Sequence, residues 1–505
     1  MRNYPFWGNG RYRAENVGPE YRQYLTDSDT ESRPFSRYEY QHDVKMGKYG
    51  NNTMSFGSLR DFSQPGLFSA NDQYPISLSA LRVDNSNPLR TFAYRIDKET
   101  LLARLETRHE AVLDQYQLDT PIVIGSNDPD VKKPWATKSF VGMSAMSYGS
   151  LGDHAIQALA HGLAMSGSWV NTGEGGLCDY HLVGGGDVVY QFGPAMFGAR
   201  NHDGSFDSDA YVKKIQHPNV IATEVKFAQG AKIEGGLLPK EKVTKQISEI
   251  RGIAMGIDCK SPNIYPHIKN AQDHGEFMRL LKQLSGKPVG YKMVMGKQKP
   301  VEDALRYMRD HDCLPNFITL DGGEGGSGAH PQDMADSMGL PVLDALPILI
   351  AILKRLGIRD RIKVFVAGKL GTPDKVVYAL AMGADCVNVA RTLMHQLGCI
   401  DARKCASNRC PAGVATQDVD LQNGLVIDEK KYRVANWVVT MRKRVFHMAA
   451  ACGKDTPLKL NAEDIMYKGP DGVIEGPQWI EGQTAPVTAK FPAGKADVVQ
   501  VMNGS

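Results

Sequence analysis

Val364-Phe-Val-Ala-Gly368-Lys369-Leu-Gly371-Thr372-Pro373-Asp374 is followed, after a helix-length interval, by Ala381-Met-Gly383-Ala-Asp-Cys-Val-Asn-Val-Ala390-Arg391. This stretch decides the fold of the 505-residue chain. A short apolar run ends in a glycine turn. Thr372 can cap a following helix, and Pro373 suits its first turn. A second apolar run then ends at Ala390-Arg391. Strand, helix and strand in this order imply a parallel pair. Glycine turns that open onto helix N-termini turn backbone N–H groups toward a phosphate.

Working outward, the same alternation recurs from about residue 138. Strand candidates are SFVGMSAM, SWVNTG, VIATEV, PVGYKMVM, FITLDGG, IKVFVAG and CVNVAR. Helices are expected between them, among them 151–166, 300–311, 341–356 and 373–382. Repeated β–α alternation implies parallel strands, and a (β/α)8 TIM barrel fits the span. A doubly wound sheet is the alternative, but it gathers its ligand loops at one switch point. Here glycine-rich loops follow many successive strands, and the last two strand ends are where such barrels hold phosphate. The expected fold class is α/β, a barrel with an irregular N-terminal region and a C-terminal helical extension. The expected divisions are an N-terminal arm or cover over 1–135, the barrel over 136–425, and a C-terminal helix and tail over 426–505. A helix is expected at about 97–115 and another at about 430–452.

Composition narrows the class. Apolar content is 42% and charged content 23%, ordinary for a globular protein. A net charge of +3 gives no reason to expect nucleic acid or an anionic membrane as partner. No stretch of about 20 apolar residues would span a bilayer. The N-terminus lacks the apolar core of a signal peptide. Eight cysteines form no disulfide framework at this length, so a reducing, cytoplasmic location is expected.

Three cysteines cluster in Cys399-Ile-Asp-Ala-Arg-Lys-Cys405-Ala-Ser-Asn-Arg-Cys410-Pro411. Soft thiolates on a curled backbone suit an iron–sulfur cluster. Zinc or buried structural thiols are the alternatives. The C-x5-C-x4-C spacing lacks the C-x2-C knuckle usual for zinc, and no fourth cysteine is near.

Further loops carry ligand signals. Gly142-Met-Ser144-Ala145-Met146-Ser147-Tyr-Gly149-Ser150 would let a flat ring approach its backbone and bond a flavin's pyrimidine edge. Asn171-Thr-Gly-Glu174-Gly-Gly176 and Asp321-Gly322-Gly323-Glu324-Gly-Gly-Ser-Gly328 place carboxylates among glycines after apolar strands. That much glycine is costly in backbone entropy, so close ligand approach or a flexible lid is implied. Lys226 and Lys292 lie inside apolar strands. They would snorkel to the rim, or face a substrate carboxylate or the N1/O2 edge of a reduced flavin.

These residues together resemble the FMN-binding, iron–sulfur synthase domain of glutamate synthase, in its stand-alone form. The matching stretches are Ser144–Ser150 (SAMSYGS), Asn171–Gly176 (NTGEGG), Gln229–Lys232 (QGAK), Asp321–Pro331 (DGGEGGSGAHP) and Cys399–Asp418 (CIDARKCASNRCPAGVATQD). The resemblance implies FMN and a [3Fe-4S] cluster on a barrel that aminates 2-oxoglutarate reductively to L-glutamate. It implies Glu174, Lys226 and Gln229 at the 2-oxoglutarate site. Ser144, Ala145, Met146, Ser147, Asn171, Lys292, Asp321, Gly322 and Gly323 would lie about the flavin. Gly368, Lys369, Gly371, Ala390 and Arg391 would hold its phosphate, and Cys399, Cys405 and Cys410 the cluster. A ferredoxin-like protein or a pyridine-nucleotide reductase would supply electrons. No N-terminal cysteine nucleophile is present, so ammonia, an amine or a separate glutaminase subunit would supply nitrogen; a homo-oligomer is compatible. An N-methylglutamate synthase-like amine exchange and an electron-transfer subunit are the competing functions. Where the family reads QGAKPG-x-GG, this chain reads Gln229-Gly-Ala-Lys-Ile-Glu-Gly-Gly236, one residue shorter and without the proline.

Overall fold

The computed structural model describes residues 5–50, 53, 57–84, 89–99, 104–113, 116–230 and 236–476. Its centre is eight parallel strands. They are β1 (Val141–Met143), β2 (Trp169–Asn171), β3 (Asp187–Phe192), β4 (Val220–Lys226), β5 (Val289–Val294), β6 (Phe317–Asp321), β7 (Lys363–Ala367) and β8 (Cys386–Val389). They pair in the order β1-β8-β7-β6-β5-β4-β3-β2. At the seam Met146 N–H donates across to the Asn171 carbonyl at 3.4 Å, so the barrel is nearly closed. Seven of these strands were legible as apolar runs. The eighth, β3, is not a plain apolar run in the sequence, because Tyr190 and Gln191 interrupt it. Both are buried inside the fold.

The helices carry the barrel's outer layer. They include α2 (Asp153–Met165), α3 (Ser208–Ile215), α4 (Lys245–Arg251), α5 (Ala271–Ser285), α6 (Gln298–Asp310), α7 (Val342–Arg355), α8 (Pro373–Ala381), α9 (Arg391–Leu397) and α10 (Ile427–Ala451); α1 (Arg37–Tyr49) precedes the barrel. α8 starts at Pro373 with Thr372 at its N-cap, but Thr372 makes no capping bond. α1 has a full capping box: Ser36 Oγ accepts from Glu39 N–H, and the Glu39 carboxylate accepts from Ser36 N–H at 3.0 Å.

A polar layer crosses the barrel interior. The Glu224 carboxylate accepts from Asn171 Nδ2 at 2.8 Å, Gln191 Nε2 at 2.6 Å and the Thr319 hydroxyl. Gly142 admits the Trp169 indole, which would lie 2.1 Å from a Cβ there. At the opposite mouth, a strand pair (Ile122–Ile124 with Trp135–Thr137) stacks Trp135 on Phe365. Buried Lys282 and half-buried Asp128 form an ion pair there at 2.6 Å.

The expected helix at 97–115 is corrected. Leu89–Glu99 and Arg104–Leu113 form an antiparallel hairpin; residues 100–103 and 114–115 lie outside the described residues. Phe92, Tyr94 and Ile96 alternate with period two, and pairing of that strand recruits the helix-prone segment beside it. The N-terminal region is also tied to the C-terminal one: Gly66–Ser69 pairs antiparallel with Ile465–Lys468. α10 packs along α2 and α1. Among the described residues no helix is long and apolar enough to cross a membrane.

Candidate functional site

A cavity of about 710 Å³ opens over the C-terminal ends of the strands. A smaller one, about 60 Å³, adjoins it beneath Gly368 and Ala390. In a (β/α)8 barrel this end carries the ligand site.

One wall is built on charge pairs. Lys226, the last residue of β4, places Nζ 2.7 Å from Glu174 Oε1. Glu174 rides on a 3-10 turn, Gly173–Gly175, just after β2. Asn171 anchors that turn from below, its Oδ1 accepting Gly173 N–H at 3.1 Å. Glu224 in turn fixes Asn171. Lys292 of β5 lies 3.1 Å from Asp321 Oδ2 of β6, both side chains buried. Asp321 also accepts Gly230 N–H at 3.1 Å. Gln229 Nε2 donates to the Gly326 carbonyl at 3.4 Å, joining the β4 loop to the β6 loop. Residues 231–235, including Lys232, lie outside the described residues.

The ends of β7 and β8 present two cations, Lys369 and Arg391, to the smaller cavity. Burial, then the neighbouring Arg391, pushes the Lys369 pKa down. Burial likewise lowers that of Arg391, opposed by nearby carboxylates, although Arg391 Nη2 donates to the Glu324 carbonyl at 2.6 Å. Two close cations whose charge burial disfavours suit a dianionic phosphate. Glu324 lies close enough to both cations to interact with their charge, and its carboxylate is held by Val342 N–H at the start of α7 at 3.1 Å.

Ser144, Ala145, Met146, Ser147, Gly323, Gly368, Lys369, Ala390 and Arg391 line one or both cavities. Asn171, Gly322 and Gly371 stand behind the wall. Gly322 N–H donates to the Ala367 carbonyl at 2.7 Å, and Gly371 leaves room for Thr392, whose Oγ1 would be 2.4 Å from a Cβ.

Cys399, Cys405 and Cys410 all face the large cavity. Their loop curls through left-handed conformations at Asp401, Arg403 and Asn408, with φ of 54°, 53° and 59°. Burial raises the Cys399 and Cys405 thiol pKa values, and the neighbouring cysteines raise them further. Mutually repelling thiolates are relieved by a bound polycation. Among the described residues no three side chains converge tightly enough to hold one metal ion.

Two residues of the site, Arg251 and Lys242, carried no signal in the sequence; a third, His395, four residues before Cys399, reads in the sequence as a packing residue or a support behind the cysteines rather than a ligand. Arg251, 4% exposed, ends α4 and lines the cavity. Its Nη2 donates to the Tyr148 carbonyl at 3.2 Å, while its buried Nε has no partner among the described residues. Lys242, 2% exposed, donates to the Ser150 carbonyl at 2.7 Å and the Cys405 carbonyl at 3.2 Å, so it ties the β1 loop to the cysteine loop. Burial pushes its pKa down to about 8, against the pull of Cys405 and Cys410. His395 is also buried, held between Asp43 and Asp401. Burial works against its charge, but the hydrogen bonds to Asp401 and Asp43 lift its pKa to about 9.

The fold and site define a (β/α)8 barrel protein with a charged ligand cavity above its strand ends. The chain belongs to the glutamate synthase family: the family described as "Conserved region in glutamate synthase" matches residues 78–455. It is similar to the "Glutamate synthase large subunit-like protein YerD" of Bacillus subtilis (strain 168), 42% identical over 475 residues, 94% of this chain and 90% of that one. It is also similar to an "Archaeal-type glutamate synthase" (NADPH) of Thermotoga maritima, 29% identical over 85% of this chain and 80% of that one. Among solved structures it is similar to a flavocytochrome b2 double mutant with sulfite bound, at 13% identity and a TM-score of 0.46, covering 98% of this chain and 90% of that one.

Proposed function

We propose that this chain is a glutamate synthase-like oxidoreductase that uses FMN and a [3Fe-4S] cluster to aminate 2-oxoglutarate reductively. The balanced reaction joins 2-oxoglutarate, ammonium, two electrons and two protons to give L-glutamate and water. The observation that carries this reading is one cavity lined by Lys226, Glu174 and Arg251 on one side and by Lys369, Arg391 and the three cysteines on others. A dicarboxylate, a phosphate and a thiolate-bound cluster each find their complement in it.

Bound FMN would supply hydride to the imine carbon, and the cluster would relay single electrons from an outside donor. The chain's own residues do the rest. Lys226 and Arg251 bind the two carboxylates of the substrate, and desolvation strengthens both pairings. Glu174 pairs with Lys226 and holds its ammonium at the cavity wall between turnovers. It also stands ready to accept a proton as ammonia adds and to return one as water leaves. Lys369 and Arg391 hold the FMN phosphate beside α9, and the backbone of Ser144–Ser147 lines the ring. Lys292, paired with Asp321, sets positive charge by the flavin. The barrel of 136–425 is the catalytic unit on this reading, and the chain works in the cytoplasm. Electrons come from a ferredoxin-like protein or a pyridine-nucleotide reductase, and nitrogen from ammonia or a separate glutaminase.

The test is an absorption spectrum of anaerobically purified protein, reduced with dithionite and then given 2-oxoglutarate and ammonium. Flavin reoxidation with glutamate formation is expected. Both cofactors present without reoxidation would sink the reductive amination, and amine exchange without any reductant would favour the N-methylglutamate synthase-like alternative. A protein that takes up neither cofactor on reconstitution would sink the whole reading.

A further inference from the structure

The cysteine loop is fixed by a residue far from it in sequence. His395 on α9 has a side chain at 0% exposure. Its Nδ1 lies 3.0 Å from Asp43 Oδ2, and its Nε2 lies 3.3 Å from Asp401 Oδ1. Phe35 and Tyr40 meet the ring edge-on, at centroid distances of 4.9 and 5.0 Å, and block its rotation. Asp43 belongs to α1, 352 residues earlier, and is buried at 1% exposure. Its other oxygen bonds nothing among the described residues, so the imidazole is the group that its carboxylate holds.

Asp401 is two residues past Cys399 and has a φ of 54°. Asp adopts that conformation more readily than most residues with a Cβ, typically where a hydrogen bond holds its side chain. The His395 ring supplies the hold from one side. From the other, Tyr24 Oη donates to the Ile400 carbonyl at 2.9 Å. The first residue of the cysteine motif therefore leads straight into a turn pinned by the N-terminal segment.

We propose that Asp43, acting through His395, is a positioning residue for the cysteine loop. It locks the left-handed turn at Asp401 and so presents Cys399 together with Cys405 and Cys410. The N-terminal segment is thereby part of the cofactor site. The inference rests on the reading that these cysteines bind an iron–sulfur cluster.

The test compares full-length wild type with Asp43→Asn, which keeps size and shape but removes the acceptor charge. Two readouts are taken: loss of iron to a chelator from the anaerobically reconstituted protein, and alkylation of Cys399 relative to Cys452 in the iron-free protein. Iron loss on the order of 10- to 100-fold faster is expected, the usual cost of losing a group that orients a metal ligand. Cys399 alkylation should rise while Cys452 stays unchanged. A folded variant with both rates at wild-type values overturns the proposal. If Asp43→Asn does not fold, His395→Gln, which removes the ring between the two carboxylates and leaves Asp401 beside Cys399 in place, decides it: faster Cys399 alkylation supports the lock, and a wild-type rate overturns it. Wild type that takes up no iron and sulfide overturns the cluster reading alone, and the alkylation rates still decide whether Asp43 orders the loop.

Discussion

Lys226 Nζ stands 2.7 Å from Glu174 Oε1, joining the end of β4 to the turn after β2, with the two side chains only 8% and 17% exposed. Each residue holds the other at the cavity wall, so the two should fail differently. Lys226→Met removes a carboxylate partner and should raise KM for 2-oxoglutarate by about tenfold or more, the loss of one charge-assisted contact. Glu174→Gln should lower kcat by roughly 100-fold with FMN content unchanged, the scale of a lost proton-transfer group. Steady-state kinetics with a chemical reductant separates them. An unchanged kcat in Glu174→Gln removes it from proton transfer.

Arg391→Gln and Lys369→Gln should each weaken FMN binding by about 10- to 100-fold, since a hydrogen bond to a charged group contributes about 1.5–3 kcal/mol. Flavin fluorescence on titration of the apoprotein measures this. Equal affinity in both variants would place the phosphate elsewhere.

Lys292→Met leaves the Asp321 carboxylate buried beside an apolar chain. Breaking one partner of a buried pair costs about 3–5 kcal/mol, so the melting temperature should fall clearly. The double variant Lys292→Met/Asp321→Leu should recover much of it. Differential scanning calorimetry of the apoproteins checks both.

Gly230→Ala tests a close backbone approach. A Cβ there would sit 1.8 Å from the Gly322 carbonyl oxygen and 2.8 Å from the Gly325 nitrogen. The loops after β4 and β6 must part, at a cost of about 1–3 kcal/mol for overpacking. Gly230 N–H then loses Asp321. We expect a lower melting temperature and impaired substrate binding; wild-type values for both would show that the loops separate freely.

The His395 pKa, about 9 against an ordinary 6.5, gives a signed pH dependence. A raised folded-state pKa adds stability that is fully present below pH 6.5 and is lost as pH rises through 9. Lys242, lowered to about 8, acts in the opposite sense above that pH. The comparison that isolates His395 is iron-free wild type against Asp43→Asn. The stability difference between them should be largest below pH 6.5 and shrink toward pH 9. A difference that grows with pH contradicts the assignment.

The parallel barrel, its glycine-punctuated strand ends and the cysteine motif were legible because each is written locally. Apolar runs, glycine turns and close cysteines fall within a few residues of one another. The 97–115 segment was misread for the opposite reason: its strand state depends on a partner strand beyond a turn, and local helix preference yields to that pairing. Arg251, Lys242 and Asp43 were not legible at all. Arg251 and Asp43 are charged residues on helices and Lys242 lies in a 3-10 turn with two other charged residues, all of which in sequence look like a solvated face.

By itself the sequence determined the fold class, the glycine loops that line the cavity and the cysteines that lie close together. Those follow from period, glycine placement and spacing, which the chain carries one element at a time. Only the tertiary structure decided which cations enter the cavity, that Glu174 meets Lys226, and that a carboxylate on α1 reaches the imidazole behind the cysteine loop. Asp43 and His395 are 352 residues apart, and no local pattern encodes such a contact. It exists because closing the barrel and docking α1 against α9 and α10 bury both groups together, and a buried charge must find a partner.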